Sequence, residues 1–149
     1  MRTLLLILLL TSCTRQNPNW VYNNSVTGSS QYDAKRLTCS HTSAFHGLEL
    51  QFFKGEFGEM GYVQIETGKI PPLANAPGYA AALLQIDGEN IPFRAPLMEG
   101  GQKALLPETI SHRILETLNE DTAVTLLLEG HASTFTPDNF SSSYAKFTK

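Results

Sequence analysis

The sequence predicts an α+β fold, a mainly antiparallel β-sheet or sandwich with two packed helices near the C-terminus. Alternating apolar and polar residues, typical of half-buried strands, occur at residues 48–53 and 62–67. Apolar residues at helical spacing occur at 107–119 and again from Phe140 to Phe147. Strand and helix patterns do not alternate along the chain, which argues against a parallel sheet.

The first half of the predicted body is built of strands. The strands at 48–53 and 62–67 flank a glycine-rich stretch, Lys54 to Gly61, that predicts a hairpin with a long loop. The apolar run 80–86 predicts a more buried strand, and Asp87-Gly88 favours a type I′ turn. The strand after this turn contains two prolines, which predict an edge position.

The second half contains both predicted helices. Pro107 suits the first turn of a helix that ends near Asn119. A hairpin follows, with a turn predicted at Gly130-His131. Thr136-Pro137 resembles an N-cap and first helical residue, so we expect the last helix to begin there.

Composition limits the classes of function. The chain has 149 residues, is 42% hydrophobic and carries a formal net charge of −3, which fits one globular domain. Without a run of Lys and Arg, we predict no nucleic-acid partner. Phosphate-binding loops, serine-hydrolase elbows and zinc-protease motifs are not found in the sequence, and we predict no cofactor and no metal.

The N-terminus has the layout of a secretory signal peptide, predicted over residues 1–12. Arg2 precedes an apolar run from Leu4 to Leu10, and small residues follow. As a helix this run spans only about 10 Å, too short to cross a bilayer of about 30 Å. The segment therefore predicts export and no stable transmembrane anchor.

Leu10-Thr11-Ser12-Cys13 resembles the lipobox of bacterial lipoproteins. The resemblance implies cleavage before Cys13 and attachment of palmitate-type acyl chains there, and two or more chains anchor a protein stably. The membrane is then a partner through Cys13. Thr14 in the next position favours an outer-membrane lipoprotein of the cell envelope and periplasm. The open alternative is an ordinary signal peptide followed by a chance cysteine.

Residues 13–35 are polar and predict a lipidated tether, followed by a single α+β domain at 36–149. The apolar cluster from Trp20 to Tyr22 departs from this pattern. It either docks on the domain as a short strand, the interpretation we favour, or lies near the membrane interface, where such side chains are enriched.

Candidate catalytic residues are few. Cys39 and His41 would share one face of a strand, and a thiolate beside an imidazolium is an activated nucleophile. His46 is a further candidate partner. The alternative is that Cys39 is a buried structural thiol, since cysteine is among the most buried residue types.

Aromatic residues supply the candidate binding site. Phe52 and Phe53 are adjacent, so on a strand one of them points away from the core. An outward Phe53 beside Phe57 would form an exposed apolar patch, which often marks a binding surface. The alternative is that a helix covers this second face.

The region from 80 to 147 resembles the invasion-associated locus B family of bacterial envelope proteins. A helix with Ile114 and Leu118, a strand at 124–128, a return strand and a final helix with Phe140 carry the likeness. That family has paired cysteines, whereas Cys39 has no partner in a chain lipidated at Cys13.

Three functions follow from these observations. The first is an envelope lipoprotein whose small domain is a binding or structural module for a protein or another envelope component. The second is a thiol-dependent enzyme or hydrolase that uses Cys39 with His41 or His46. The third is a carrier of a small apolar ligand.

Overall fold

The computed structural model describes residues 20–26, 33–40 and 46–149. These residues form two antiparallel sheets and two helices, which confirms the predicted α+β sandwich. In chain order the elements are β1 (Trp20–Ser25), β2 (Ala34–Cys39), β3 (Leu48–Gly55), β4 (Gly58–Ile65), β5 (Tyr79–Ile86), β6 (Glu89–Pro96), β7 (Lys103–Leu106), α1 (Glu108–Asn119), β8 (Val124–Leu128), β9 (His131–Phe135) and α2 (Phe140–Thr148).

The first sheet has the strand order β1-β2-β3-β4-β7, and the second has the order β6-β5-β8-β9. Strand β6, which carries Pro92, lies at the edge of the second sheet, as its prolines predict. Helix α2 is near the C-terminus, whereas α1 precedes the β8–β9 hairpin. Among the described helices, none is long and apolar enough to span a membrane.

One hydrophobic core lies between the two sheets. Alternate residues of each strand point inward, for example Leu50 and Phe52 from β3 and Leu84 from β5. Helix α1 adds Ile114 and Leu118 from its apolar face to the same cluster. The inner face of the five-stranded sheet is therefore covered by the second sheet and by both helices.

The cluster that begins with Trp20 is part of this fold. Its indole is buried against the rings of Phe52, Phe135 and Phe140, and β1 pairs with β2 along its length. The favoured docked strand is therefore correct. The predicted boundary at residue 36 lies too late in the chain, because residues 20–25 and 34–35 already belong to the sheet.

The β3–β4 hairpin differs from the prediction in its loop. Gly55 pairs with Gly58, so the turn consists of two residues where an eight-residue loop was expected. Positive φ at Gly58 (106°) permits this tight reversal. The Asp87-Gly88 turn is as predicted, with positive φ at both residues (48° and 82°).

Two element boundaries in the C-terminal third also differ from the predictions. The β8–β9 turn is Glu129-Gly130, one residue earlier than expected, because Leu128 pairs with His131. Helix α2 begins at Phe140, since Asn139 adopts a left-handed conformation before it (φ 53°). The predicted start at Thr136-Pro137 was therefore three residues too early.

Candidate functional site

An apolar groove lies on the outer face of the five-stranded sheet, where the β3–β4 hairpin turns. Alternation along β3 buries Phe52 in the core and turns Phe53 outward, as its adjacency predicts. In the antiparallel register Phe53 lies opposite Met60. The groove encloses a cavity of about 390 Å³, and its lining includes Phe53, Phe57, Met60, Tyr62, Met98 and Lys103.

Large apolar side chains at this groove are open to solvent. Phe57, at the tip of the hairpin, is 85% exposed, and Met60 and Met98 are 44% and 40% exposed. Removing apolar surface from water is favourable, so a partner that covers these three side chains would gain binding free energy. The expectation that Phe53 and Phe57 lie on one outward surface therefore agrees with the structure.

A lysine side chain crosses the floor of the groove. The Lys103 ammonium lies 5.7 Å from the ring centre of Phe53 and 5.1 Å from that of Tyr62, within the range of cation–π attraction. Its Nζ also donates a hydrogen bond of 2.9 Å to Oε1 of Gln51. The two rings themselves meet edge to face at 5.7 Å, which fixes the floor beneath the cation.

Gln51 holds that lysine in place. Although polar, Gln51 is buried, and its Nε2 donates to a Glu49 carboxylate oxygen while its Oε1 accepts from Lys103. A buried amide of this kind is stabilised only when its polar atoms have partners. The Glu49–Gln51–Lys103 chain therefore orients the ammonium toward the aromatic floor.

Cys39 does not lie on this surface. Its side chain is fully buried on the inner face of β2, and burial, with a smaller contribution from Glu49, raises the pKa of the thiol to about 12. A thiol with this pKa is protonated at neutral pH, so it is not an activated nucleophile. The structure thus places Cys39 in the core, as the alternative interpretation expected.

The histidine candidates are only partly described. His41 lies outside the described residues, as does Cys13. His46 is exposed in the turn two residues before β3, with its ring centre 6.2 Å from that of His131. Burial, followed by repulsion from His46, lowers the pKa of His131. Within residues 20–26, 33–40 and 46–149, no group of three or more His, Cys, Asp or Glu side chains could hold a metal ion.

A second, more polar cavity of about 230 Å³ lies between α1, α2 and β4. Glu59, His112, Glu116 and Tyr144 line it together with Leu115. Burial, and then the nearby Glu59 and Glu116 carboxylates, raise the pKa of the Tyr144 phenol, which therefore stays protonated at neutral pH.

Of the eleven residues that line the groove, the sequence predicted only Phe53 and Phe57 as binding residues. With a two-residue turn, Met60 lies opposite Phe53, so Met60 and Tyr62 share its outward face. The longer loop expected from the sequence did not give this register. Lys103 and Met98 come from a distant segment, because β7 pairs with β4. Local sequence patterns carry no signal for that long-range pairing.

Comparisons with protein-family models, curated proteins and solved structures find no match to this chain. Its function is therefore inferred from the chain's own sequence and geometry.

Proposed function

We propose that this chain is a lipid-anchored protein of the bacterial cell envelope whose folded body binds a protein partner at the apolar groove. The observation that carries this proposal is the exposure of Phe57, Met60 and Met98 around one cavity. Aromatic residues and methionine are the types enriched where proteins bind one another. Methionine side chains also adapt their shape to a partner.

A protein partner fits this groove better than a small apolar ligand does. Pockets for small molecules usually bury 70–90% of the ligand surface. Here Phe57 projects into solvent from a two-residue turn, so the groove is open on the hairpin side. A carried ligand would therefore keep much of its apolar surface in water, whereas a protein surface could cover the tip as well as the floor.

The thiol-dependent enzyme is not favoured by the described residues. The Cys39 thiol is buried in the core, and burial raises its pKa far above neutral pH. Nucleophilic attack on a substrate requires a thiolate that the substrate can reach, and a buried, protonated Cys39 does not supply one. Binding is therefore the better proposal for this body.

The lipobox supports the anchored half of the proposal. Lipidation at Cys13 would leave at most about 25 Å of extended chain before the sheet begins at Trp20. Trp20 starts β1, and Ser25 at the other end of that strand pairs with Ala34, beside the hairpin. The groove would thus lie at the end of the sheet away from the tether. A partner could then bind there without contacting the membrane that holds the anchor. Thr14 after the cysteine favours the outer membrane.

Metabolic labelling tests the anchor. Cells that express the chain are grown with labelled palmitate, and we expect label on the wild type and none on Cys13→Ala. Equal labelling of both chains would contradict lipidation at Cys13. A faster-migrating, cleaved but unlabelled wild type would instead indicate an ordinary signal peptide.

Site-specific photo-crosslinking tests the groove. A photoreactive phenylalanine at position 57 should give one discrete adduct in the envelope, and the same group at the exposed Thr134, on the other sheet, should not. The partner identified in the adduct is then purified, and its affinity for wild type and for Phe57→Ser is measured. Equal affinity for the two chains would contradict binding at the groove.

A further inference from the structure

A pair of histidine side chains lies where the two sheets meet, at the end of β3 opposite the groove. His46 comes two residues before β3 of the five-stranded sheet, and His131 begins β9, the edge strand of the four-stranded sheet. Their ring centres are 6.2 Å apart, and the ring planes make an angle of 46°. The two residues are distant in the sequence, so the packing of the two sheets brings them together.

Two hydrogen bonds fix the backbone on either side of this histidine pair. The amide of Ala132 donates to the carbonyl of His46 over 3.1 Å. The amide of Leu48 donates to Oγ of Ser133 over 2.7 Å. Because both segments are tied together, a ligand that contacts both rings has only side-chain torsions left to order, which lowers the entropic cost of binding.

The spacing of the two rings is compatible with their binding to one metal ion. A neutral imidazole has one nitrogen with a free lone pair, and histidine is the commonest metal ligand in proteins. With metal–nitrogen bonds of about 2 Å, two imidazoles on one ion have ring centres about 4.5–6.3 Å apart, depending on the angle at the ion. The observed 6.2 Å lies at the upper end of this range, and rotation of the exposed His46 side chain shortens it.

One nitrogen of His131 has no other role in the described part of the chain. Its Nδ1 atom is buried and has no hydrogen-bond partner there. A buried polar atom without a partner costs free energy, whereas a ring carbon in the same place does not. A half-turn of the ring, which exchanges Nδ1 with a carbon, would therefore remove this cost and bring the nitrogen out of the interior as a ligand.

The geometry points to a site for a divalent transition-metal ion formed by His46 and His131, in which each imidazole supplies one nitrogen and water fills the other positions. Imidazole suits Zn²⁺, Ni²⁺ and Cu²⁺, whereas Mg²⁺ and Ca²⁺ prefer oxygen ligands. Since residues 20–26, 33–40 and 46–149 supply no group of three such ligands, we expect weaker binding than at a closed four-ligand zinc site. A bound ion would join one sheet to the other. This inference does not depend on the proposed function.

Calorimetric titration tests the site directly. The chain is isolated in mild detergent without an affinity tag, because a histidine tag would itself bind the ions. It is titrated with Ni²⁺, Zn²⁺ or Mg²⁺ at about pH 7.5, at which free imidazole is mostly neutral. We expect one Ni²⁺ or Zn²⁺ to bind per chain with a micromolar dissociation constant and Mg²⁺ not to bind.

Four single substitutions assign the ligands. His46→Gln and His131→Gln should each weaken the binding of Ni²⁺ at least about tenfold. His41→Gln and His112→Gln are the matched controls, because each removes one imidazole from another position, and both should keep the wild-type affinity. Without metal, all four variants should unfold near the wild-type urea midpoint, which shows that they fold.

Two further measurements connect the ion to the folded chain. An ion that binds only the folded state raises the urea midpoint, so Ni²⁺ should raise it in the wild type and not in His131→Gln. Modification by diethyl pyrocarbonate, mapped by mass spectrometry, needs no substitution. Zn²⁺ should slow the modification of His46 and His131 in the wild type severalfold and leave that of His112 unchanged.

Several outcomes would overturn this inference. They are no binding of Ni²⁺ or Zn²⁺ at millimolar concentration, binding of Mg²⁺ as tight as that of Ni²⁺, and wild-type affinity in His46→Gln or His131→Gln. A loss in His41→Gln as large as that in His46→Gln would also overturn a site of these two residues. Each of these results leaves the proposed function standing, since crosslinking at position 57 and palmitate labelling do not involve the pair.

Discussion

The two ends of the five-stranded sheet differ in the burial of their aromatic side chains. At the first end, the Trp20 indole is buried among three aromatic rings and donates a 2.9 Å hydrogen bond to the carbonyl of Thr136. Its backbone exchanges two 2.9 Å hydrogen bonds with the side chain of Asn139. At the other end, Phe57 stands 85% exposed on a two-residue turn.

This difference separates stability from binding within one sheet. The contacts of Trp20 stabilise the domain, because they join the first strand to the segment that leads into the last helix. The hairpin end leaves apolar surface in water, where it adds little to folding but is available to a partner. Substitutions at the first end should therefore change stability, and substitutions at the second end should change binding.

The largest effect expected is the protection of Cys39, which lies opposite Trp20 in the sheet. Because its thiol is fully buried, a thiol reagent should label it only when the domain opens, a process that costs roughly 5–15 kcal/mol for the whole fold. Labelling kinetics at increasing denaturant measure this protection. Labelling of native protein at the rate of a free peptide thiol would show that this end of the sheet is open.

Trp20→Ala should be the most destabilising single substitution at the first end of the sheet. It removes a buried indole together with its aromatic contacts, and we expect a loss of about 3–5 kcal/mol in the free energy of unfolding. Urea denaturation measures the loss. Trp20→Phe should retain part of the packing and lose only the indole hydrogen bond, so a loss as large as that of Trp20→Ala would contradict the role assigned to packing.

Gly61→Ala should destabilise the centre of the sheet by about 1–3 kcal/mol. A methyl group at this position would meet Ser111 Oγ of α1 and would lie 3.0 Å from the Phe52 ring, so strand and helix would have to move apart. Ser111→Ala in the same chain removes one of these contacts and should recover part of the loss. Gly78→Ala is the control, because no atom lies within 4 Å of the methyl group it would add.

The sequence predicted the strand at the first end of the sheet but not the contacts that fix it there. Adjacent Phe52 and Phe53 predict one outward ring from alternation alone. The hydrogen bonds that fix Trp20 join residues more than a hundred positions apart, so no local pattern predicts them. The late start of α2 has the same cause, since Asn139 bonds to Trp20 instead of continuing a helix from Pro137.

The groove was predictable only in its local part. Phe53 and Phe57 follow from strand alternation and from glycine residues near a turn. Lys103 reaches the groove because β7 pairs with β4, although the β5–β6 hairpin of the other sheet lies between them in the sequence. This pairing depends on the packing of the whole core. The contact between the Lys103 ammonium and the aromatic rings therefore depends on tertiary structure and cannot be predicted from local sequence patterns.

Acid should weaken the fold slightly through His131, at the end of the molecule where β3 begins. Its folded-state pKa lies below the ordinary histidine value of 6.5, so the neutral form is the one the fold favours. The contribution is therefore complete above pH 6.5 and is lost as the pH falls through the lower, folded-state pKa. Thermal unfolding between pH 8 and pH 5 measures it. His131→Gln should flatten this slope, and an unchanged slope would contradict the role assigned to His131.

The smallest effect on stability is expected at the hairpin tip. Phe57→Ser removes a side chain that is already 85% exposed, so the free energy of unfolding should change by no more than about 0.5 kcal/mol. Phe52→Ser, five residues earlier and facing the core, is the matched control and should cost several kcal/mol. Calorimetry of both variants compares the two directly. A large loss of melting temperature in Phe57→Ser would mean that the ring supports the fold, and the assignment of this end of the sheet to binding would then be wrong.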